Sequence, residues 1–409
     1  MDLRKVILGT GILAAAALAG VLDTNDVKLN STLGLGANPA AIAVNQERKV
    51  EGGAIVLNQL SQSNQVKEAN IKNPLTGADT ISLYNGKNVN SSSFNDSTKF
   101  LSYTDTFAGN WFAIRYRYES NLYPNFTANI AYFNAAAQSS YGNKDAKGDM
   151  YRKDATETTS LVWGRELIKG LNTGVELASN VYTLDDNRSY NKVAEALPIL
   201  SLTDSKAYAQ SQPYYTLTLG GIYDVASDQK ISLAHKFSHE RDTHTGDGNK
   251  NTVGTDYVET LPAETGLAYI YRVNDALELA GVFKTFWGLT YEKTTKTDGG
   301  GESTESVFIA PVNSYGFAAS YKVTNEWELQ GYGNFLRNYK NSLASGPTGK
   351  EEKGYDVTQL GANVQYSPSF LNGGTILLGS YMTRLVNEDP NVGTVFDITN
   401  TSLSYSHAF

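Results

Sequence analysis

Residues 263–291, AETGLAYIYRVNDALELAGVFKTFWGLTY, contain the pattern that decides the fold. Leu267, Tyr269 and Tyr271 alternate with smaller or less polar residues, the turn 272–275 follows, and Leu277 begins a second alternating run. Such alternation over this length is typical of β-strands, because successive side chains of a strand point to opposite faces. The segment therefore predicts an antiparallel hairpin.

The same pattern recurs along the chain, with short turns inside the hairpins and long polar connections between them. The long connections are rich in Asn, Asp, Ser, Gly and Lys and cover residues 64–110, 138–155, 184–212, 241–255, 293–311, 339–354 and 386–397. This regular exchange of short and long connections is typical of up-and-down barrels in outer membranes. The sequence predicts an all-β fold: an antiparallel transmembrane β-barrel of about 14 strands.

The first strands can be assigned in two ways, of which we adopt the first. In the first, residues 110–119 and 125–137 form strands two and three, and residues 99–107 lie inside the first loop. In the second, residues 99–107 pair with residues 111–119 instead, which keeps the strand count and moves the second loop.

Composition narrows the class of protein. The 409 residues include 37 Gly, 26 Tyr and 15 Phe and no Cys, and the net charge is -8. Abundant aromatic residues suit the interfacial girdles of a membrane barrel. The absence of Cys excludes disulfides, thiolate zinc sites and cysteine catalysis. An acidic chain without clustered Lys and Arg argues against a nucleic-acid partner.

The N-terminus has the pattern of a secretory signal. Arg4 and Lys5 precede an uncharged run, and Ala17-Leu18-Ala19 forms a small-x-small cleavage site. We expect residues 1–19 to be a signal peptide. We expect residues 20–48 to form a short N-terminal plug, or hatch, in the lumen, and residues 49–409 to form the barrel.

Charged residues inside the alternating segments predict which face is inward. A Lys or Arg on the lipid face costs about 2–4 kcal/mol at the middle of the membrane. We therefore expect these side chains at the lumen or the rims: Arg115, Arg117, Glu176, Glu278, Lys284, Glu328 and Arg384.

Asn38-Pro39-Ala40, just ahead of the first strand, resembles the Asn-Pro-Ala motif of the FadL-like outer-membrane transporters of long-chain fatty acids. Residues 261–264, Leu-Pro-Ala-Glu, which open the predicted eighth strand, look like the Leu-Pro-Glu segment of that family. Trp287 late in the ninth strand and the terminal Ala408-Phe409 fit the same pattern.

The resemblance implies passive transport of hydrophobic molecules, either long-chain fatty acids or aromatic hydrocarbons. It implies capture in an extracellular groove, passage through a plugged lumen and lateral exit through the barrel wall. It further implies a monomer in the bacterial outer membrane, delivered by the outer-membrane assembly machinery, which reads the terminal Phe409.

Residues 190–202, YNKVAEALPILSL, are the apolar patch among the long connections. An apolar cluster in a polar loop marks a binding surface or folds down as a structural cap. The ligand-binding candidates are Val193, Leu197, Ile199 and Leu200, with Arg188 and Lys192 as candidates for a carboxylate head group. In the plug the candidates are Leu33, Leu35, Asn38, Pro39, Ala40 and Ile42.

Enzyme motifs are absent from the sequence, and we expect no catalytic residue, no metal site and no cofactor. His235 and His239 would lie about 13 Å apart along a strand, too far to share one metal. The alternative function is a general aqueous porin or a surface-exposed adhesion barrel.

Overall fold

The computed structural model describes residues 38–64, 79–83, 98–134, 144–191, 205–246, 254–297, 300–309, 311–339, 355–387 and 394–409. A short helix, α1 (Ala41–Asn45), precedes the strands, and a 3-10 turn lies at Ser369–Leu371. The strand segments are β1 (Lys49–Asn64), β2 (Asp79–Leu83), β3 (Lys99–Phe107), β4 (Asn110–Asn134), β5 (Lys144–Ile168), β6 (Leu171–Asn191), β7 (Ser205–Ser211), β8 (Tyr214–Ala226), β9 (Gln229–Lys236), β10 (His239–Gly246), β11 (Gly254–Leu261), β12 (Glu264–Arg272), β13 (Leu277–Phe286), β14 (Leu289–Thr297), β15 (Gly301–Ile309), β16 (Val312–Lys322), β17 (Trp327–Tyr339), β18 (Tyr355–Tyr366), β19 (Gly374–Asn387) and β20 (Thr394–Ala408).

Within the described residues these segments build a closed antiparallel barrel of 14 strands, as predicted. We call each of these 14 strands a stave, to distinguish it from the 20 segments. Six staves consist of two segments in line: β2 with β3, β7 with β8, β9 with β10, β11 with β12, β13 with β14, and β15 with β16. The barrel closes where β1 pairs with β20 on one side and with β3 on the other. Closure leaves no sheet edge exposed to lipid.

The second assignment of the first strands is correct, and the first is wrong. β3 pairs with β4 from Lys99↔Tyr118 to Phe107↔Asn110, and β4 continues without a turn to Asn134. A bulge between Tyr123 and Phe126 absorbs Pro124, which sequence reasoning took for a turn. A bulge accepts a proline because it already interrupts the ladder of hydrogen bonds.

Besides residues 64–110, which contain β2 and β3, and residues 386–397, within which β20 begins, four more of the predicted long connections are partly strand. β5, the upper half of β6, β7, β10, β11, β14 and β15 reach into residues 138–155, 184–212, 241–255 and 293–311. These extensions carry polar residues on both faces, so they lack the apolar alternation that marks a membrane strand. Hydrogen bonds to neighbouring strands hold them in register.

The two faces of the barrel differ in polarity. Outward side chains are apolar or aromatic and exposed, among them Leu267, Tyr269, Tyr315, Phe317 and Leu403. The inward row is polar and buried, and includes Ser102, Ser160, Asn180, Thr216, Thr218, Ser232, Thr243, Ser314, Gln330, Gln359, Asn363, Thr383 and Asn400. An apolar outside and a polar inside are the construction of an outer-membrane barrel.

The charged residues lie where the sequence analysis expected them. Arg115 and Lys284 share the inward row of their strands and have side chains only 12% and 11% exposed. Arg384 lies near the end of β19 and pairs with Asp397 at 3.8 Å, at the rim. Among the described residues, no helix is long and apolar enough to cross a membrane.

Five consecutive staves are interrupted between their two strand segments. The interruptions fall at residues 212–213, 237–238, 262–263, 287–288 and between Ile309 and Val312. The Leu-Pro-Ala-Glu segment at 261–264 therefore lies in the middle of a stave rather than at the start of a strand. Trp287 likewise occupies the interruption between β13 and β14.

Candidate functional site

Asn38 is fixed to the inside of the barrel wall close to the end with the short turns. Its Nδ2 donates to Ser232 Oγ at 2.7 Å and to the carbonyl oxygens of Gly221 and Leu233, each at 3.2 Å. Its Oδ1 accepts a hydrogen bond from the Ala40 amide at 2.9 Å. The side chain is 3% exposed, so both ends of the amide are satisfied away from water.

Three glycines of the wall make room for the segment that follows. A Cβ atom on Gly220 would lie 2.0 Å from Asn38 Oδ1, and one on Gly174 would lie 2.3 Å from the Pro39 carbonyl carbon. A Cβ on Gly164 would lie 2.8 Å from Ile42 Cγ1. Real Cβ atoms essentially never show contacts this short, so glycine at these positions lets the wall approach the side chains of Asn38 and Ile42 and, at Gly174, the backbone of Pro39.

Helix α1 completes the docked segment. Ile42 packs against Ala113 of β4 and Val162 of β5, with Trp111 alongside. Ala40 and Ala43 are buried as well, at 0% and 1% exposure. The helix ends at Asn45, and the next residue, Gln46, has a left-handed backbone conformation with φ of 48°. We call residues 38–45 the anchored segment.

A second cluster ties the chain to the barrel seam just before β1. Arg48 Nε donates to Asp105 Oδ1 at 2.6 Å, and its guanidinium lies over the Phe409 ring at 5.2 Å. The Phe409 amide donates to the Arg48 carbonyl at 3.0 Å, and Tyr103 stacks on the same ring. Hydrogen bonding to Asp105 and the charge of its carboxylate raise the pKa of Arg48. The C-terminal aromatic is thus held where the barrel closes.

The buried charges of the lumen are arranged in pairs. Arg241 Nε donates to Glu259 Oε1 at 2.7 Å, and its guanidinium lies 4.1 Å from the centre of the Tyr182 ring. Glu264 receives Lys284 at 3.2 Å and Lys236 at 3.6 Å. Pairing is what makes charged side chains tolerable at this degree of burial.

Arg115 and Glu176 form a looser arrangement near the anchored segment. Arg115 Nη1 lies 3.9 Å from Glu176 Oε1, which accepts a hydrogen bond from Ser160 at 2.6 Å. The buried Nε and Nη1 atoms of Arg115 make no hydrogen bond. Arg115 is two residues along β4 from Ala113, so this polar pair borders the packed Ile42 side chain.

Of the two predicted groups of site residues, the plug group and the loop group, the structure brings together part of the plug group. Asn38, Pro39, Ala40 and Ile42 lie side by side in the anchored segment. Leu33 and Leu35 lie outside the described residues, as do Lys192, Val193, Leu197, Ile199 and Leu200. The backbone of Arg188 belongs to β6, opposite Met150 and Ser205, and its side chain is outside the described part.

Sequence reasoning missed the glycines that receive the anchored segment. Gly164, Gly174 and Gly220 stand on three different staves, more than 50 residues apart between first and last. Each reads as an ordinary strand glycine. The signal that finds them is their position on the inward face within a few residues of a short turn.

The histidines are used in wall packing. His235 Nδ1 lies 2.8 Å from Thr265 Oγ1, which also accepts a hydrogen bond from Trp287 Nε1 at 2.7 Å. His239 stacks on Tyr214 with 5.4 Å between ring centres. Among the residues that the structure describes, no group of three His, Asp or Glu side chains could hold a metal ion.

Comparison with known proteins gives a fold but no close relative. No family model matches the sequence, and no curated protein is similar to it. Several solved structures are similar over almost their full length. The toluene transporter TbuX of Ralstonia pickettii is 14% identical in sequence and superposes with a TM-score of 0.54. The alignment covers 91% of this chain and 92% of TbuX.

Two further structures agree with the first. The toluene transporter TodX of Pseudomonas putida is 12% identical, with coverage of 91% and 92% and a TM-score of 0.57. A FadL homologue of Pseudomonas aeruginosa is 12% identical, with coverage of 92% and 94% and a TM-score of 0.53. At these identities the likeness shows a shared fold.

Proposed function

We propose that this chain is a FadL-like outer-membrane channel that carries hydrophobic molecules, with long-chain fatty acids or aromatic hydrocarbons as its substrates. One observation carries the proposal. An Asn-Pro-Ala motif lies inside a barrel of this fold. Asn38 is hydrogen-bonded to β8 and β9, and Pro39 lies directly against Gly174, where a Cβ atom would leave no room for it. The similarity to two toluene transporters supports the substrate class.

The proposed route begins in the loops and ends at the side of the barrel. Residues 190–202 capture the solute, with Arg188 or Lys192 near a carboxylate head group where one is present. The solute passes the plug, residues 20–48, and leaves sideways into the membrane. Burying a methylene in an apolar groove is worth about 0.8 kcal/mol, so a sheltered path through the polar surface layer needs no energy source.

The proposal includes a monomer delivered by the outer-membrane assembly machinery, and no catalytic step. Phe409 supplies the terminal aromatic that the machinery reads, and in the folded barrel it packs on Arg48 and Tyr103. Hydrophobic small molecules and the surrounding outer-membrane lipid are the partners.

A general aqueous porin is the second candidate, and the polar lumen favours it. The inward row is built largely from Ser, Thr, Asn and Gln side chains, which suit water more than hydrocarbon. The anchored segment argues the other way, because it occupies lumen that an open pore would leave free. An adhesion barrel, the remaining alternative, would place function in the long connections.

Two measurements on the purified protein separate these candidates. A hydrophobic channel gives low ion conductance in planar bilayers and speeds entry of a radiolabelled fatty acid or toluene into cells that express it. A porin gives a large steady current and no such uptake. Deleting residues 20–48 should raise ion leakage and lower selective uptake together. A wide current in the intact protein without hydrophobic uptake would overturn the proposal.

The loop patch is tested separately. We expect Leu197→Asp together with Leu200→Asp to abolish uptake, because two charges in an apolar capture surface oppose binding of hydrocarbon. Phe308→Ser on the outward face of β15 serves as a control for general loss of hydrophobic surface. Unchanged uptake in the double variant would show that the patch is a structural cap.

A further inference from the structure

A row of polar side chains lies on the outer face of the barrel. Pairing between neighbouring strands places four outward residues directly beside one another, one on each of four consecutive staves: His235, Thr265, Thr285 and Asn313. Each alternates with inward residues of its own strand, so all four share the face that meets lipid. All four are partly or fully exposed. We call these four residues the polar row.

The outward residues next to the polar row are apolar. The row below it on the same four staves consists of Leu233, Leu267, Phe283 and Tyr315. Where the polar row continues onto the two preceding staves, its positions are taken by Leu219 and Val175. The change from apolar to polar side chains along this row therefore begins at His235.

Hydrogen bonds between staves fix the centre of the polar row. The Thr265 hydroxyl accepts a hydrogen bond from Trp287 Nε1 at 2.7 Å and lies 2.8 Å from His235 Nδ1. A neutral imidazole carries one ring hydrogen, and Thr265 has one hydrogen to donate. With Thr265 donating to Nδ1, the ring hydrogen of His235 lies on Nε2. Phe237 packs edge-on against the His235 ring, with 4.7 Å between the ring centres.

Three hydrogen-bonding groups of the polar row have no partner within the chain. In the part of the chain that the structure describes, no hydrogen bond engages Nε2 of His235, the Thr285 hydroxyl or the Asn313 side-chain amide. Such groups are costly in contact with hydrocarbon, which offers them nothing to bond to. The partners must therefore come from the molecules that surround the barrel.

The polar row lies in the outer half of the membrane. Thr265 is seven residues from Arg272 at its short turn, and Asn313 is nine residues from Lys322 at the next one. At about 3.3 Å per residue and a strand tilt of about 40°, these separations correspond to heights of about 18 Å and about 23 Å. The apolar belt of such barrels is about 25 Å tall. The polar row therefore faces the upper acyl chains of the outer leaflet and the carbonyl groups that join them to the head group.

We propose that the polar row binds an outer-leaflet glycolipid that carries several acyl chains. Carbonyl groups of its ester and amide linkages accept hydrogen bonds from His235, Thr285 and Asn313, and its acyl chains lie on the apolar row below. The site continues the lipid-facing wall of the barrel, and it is independent of the proposed transport because it lies outside the lumen.

Two features of the polar row select this class of lipid. The row contains no Lys or Arg, so it recognises neutral carbonyl groups rather than phosphate. Its four side chains span three strand spacings, about 14 Å in all, so the ligand has to present several carbonyl groups side by side. That requirement favours a lipid with many acyl chains over a two-chain phospholipid.

Apolar replacement of the free groups tests the site. The triple variant His235→Leu, Thr285→Val and Asn313→Leu removes the three unpartnered groups and makes the row resemble its apolar neighbours. The matched control is Thr294→Val with Thr304→Val, which removes a facing pair of outward hydroxyl groups on β14 and β15, beyond the interruption at residues 287–288. Semi-native gels confirm that each variant forms the compact barrel.

Native mass spectrometry of protein extracted from outer membranes in a mild detergent is the measurement. We expect the native protein and the control to retain a glycolipid, and the triple variant to bind it at least about tenfold more weakly, because three hydrogen bonds are lost. Equal retention by the triple variant would overturn the site. A two-chain phospholipid in place of the glycolipid, or a dimer that the triple variant loses, would overturn it as well.

Discussion

Replacing Asn38 by alanine should release the anchored segment from the wall. The side chain makes hydrogen bonds to Ser232, Gly221 and Leu233 through Nδ2 and accepts one from Ala40. Alanine removes all of them and leaves the buried Ser232 hydroxyl and two carbonyl oxygens facing an empty space. We expect a stable barrel whose plug undocks far more often than in the native protein.

The loss of docking free energy in Asn38→Ala follows from the number of hydrogen bonds that the Asn38 side chain makes. Two N–H groups and one accepting oxygen make three net bonds, and each contributes about 0.5–1.5 kcal/mol, so docking weakens by about 2–4 kcal/mol. Since each 1.4 kcal/mol is tenfold in an equilibrium constant, the undocked population rises about 30- to 700-fold. Asn38→Asp should do almost as much damage, because a carboxylate cannot donate to the two carbonyl oxygens.

Single-channel recording in planar bilayers is the main assay, since undocking appears as added open events. Limited proteolysis of the plug gives an independent measure. Gly220→Ala attacks the same contact from the wall, because its Cβ would lie 2.0 Å from Asn38 Oδ1. Gly281→Ala is the matched control, since a Cβ there meets no atom within 4 Å.

The double variant Asn38→Ala with Gly220→Ala sharpens the test. Both changes act on one contact, so the pair should cost less than the sum of the single effects. Native conductance and native protease resistance in both single variants would refute the reasoning, since the Asn38 contacts would then contribute nothing to keeping the plug in place.

Three other predictions concern the wall and its seam. Arg48→Ala should lower the temperature at which heated samples lose the compact barrel form on semi-native gels, because the Arg48 contacts with the Phe409 ring and with Asp105 at the barrel closure are lost. An unchanged transition temperature would contradict this. Phe317→Lys should cost about 2–4 kcal/mol in unfolding from lipid vesicles, since it places a charge on the lipid face, and a neutral result would mean that this face is not in lipid. Arg241→Leu should destabilise by about 3–5 kcal/mol because it leaves Glu259 buried without its partner, and adding Glu259→Gln should recover most of that loss in the same measurement.

The period of the sequence was enough to predict the barrel and its 14 staves. Alternation over Leu267, Tyr269 and Tyr271 depends on one physical fact, that a strand places every second residue in lipid, and this holds wherever the wall crosses the membrane. Beyond the membrane both faces meet water, so residues 144–155 of β5, together with β7 and β15, carry no alternation and were taken for connections. The adopted assignment of the first strands missed the pairing of β3 with β4, because the local pattern does not choose between partners.

The candidate site, like the fold, was predicted from the sequence only in part. A motif of three residues drew attention to Asn38, because a short segment ahead of a barrel invites a role inside it. Nothing in the sequence pointed to Gly174 or Gly220, since a glycine in a strand takes its meaning from whatever lies against it. The proposed capture residues from Val193 to Leu200 stay predictions.

What the sequence by itself determined is the number of staves and the polarity of the two faces. These properties depend only on neighbouring positions in the sequence, because the alternation of a strand is visible within a few residues. Only the tertiary structure decided that Asn38 meets Ser232, almost two hundred residues away, and that β11 and β14 pair in only three rows. Such facts depend on the register between staves, and register is set by hydrogen bonds that no single segment contains.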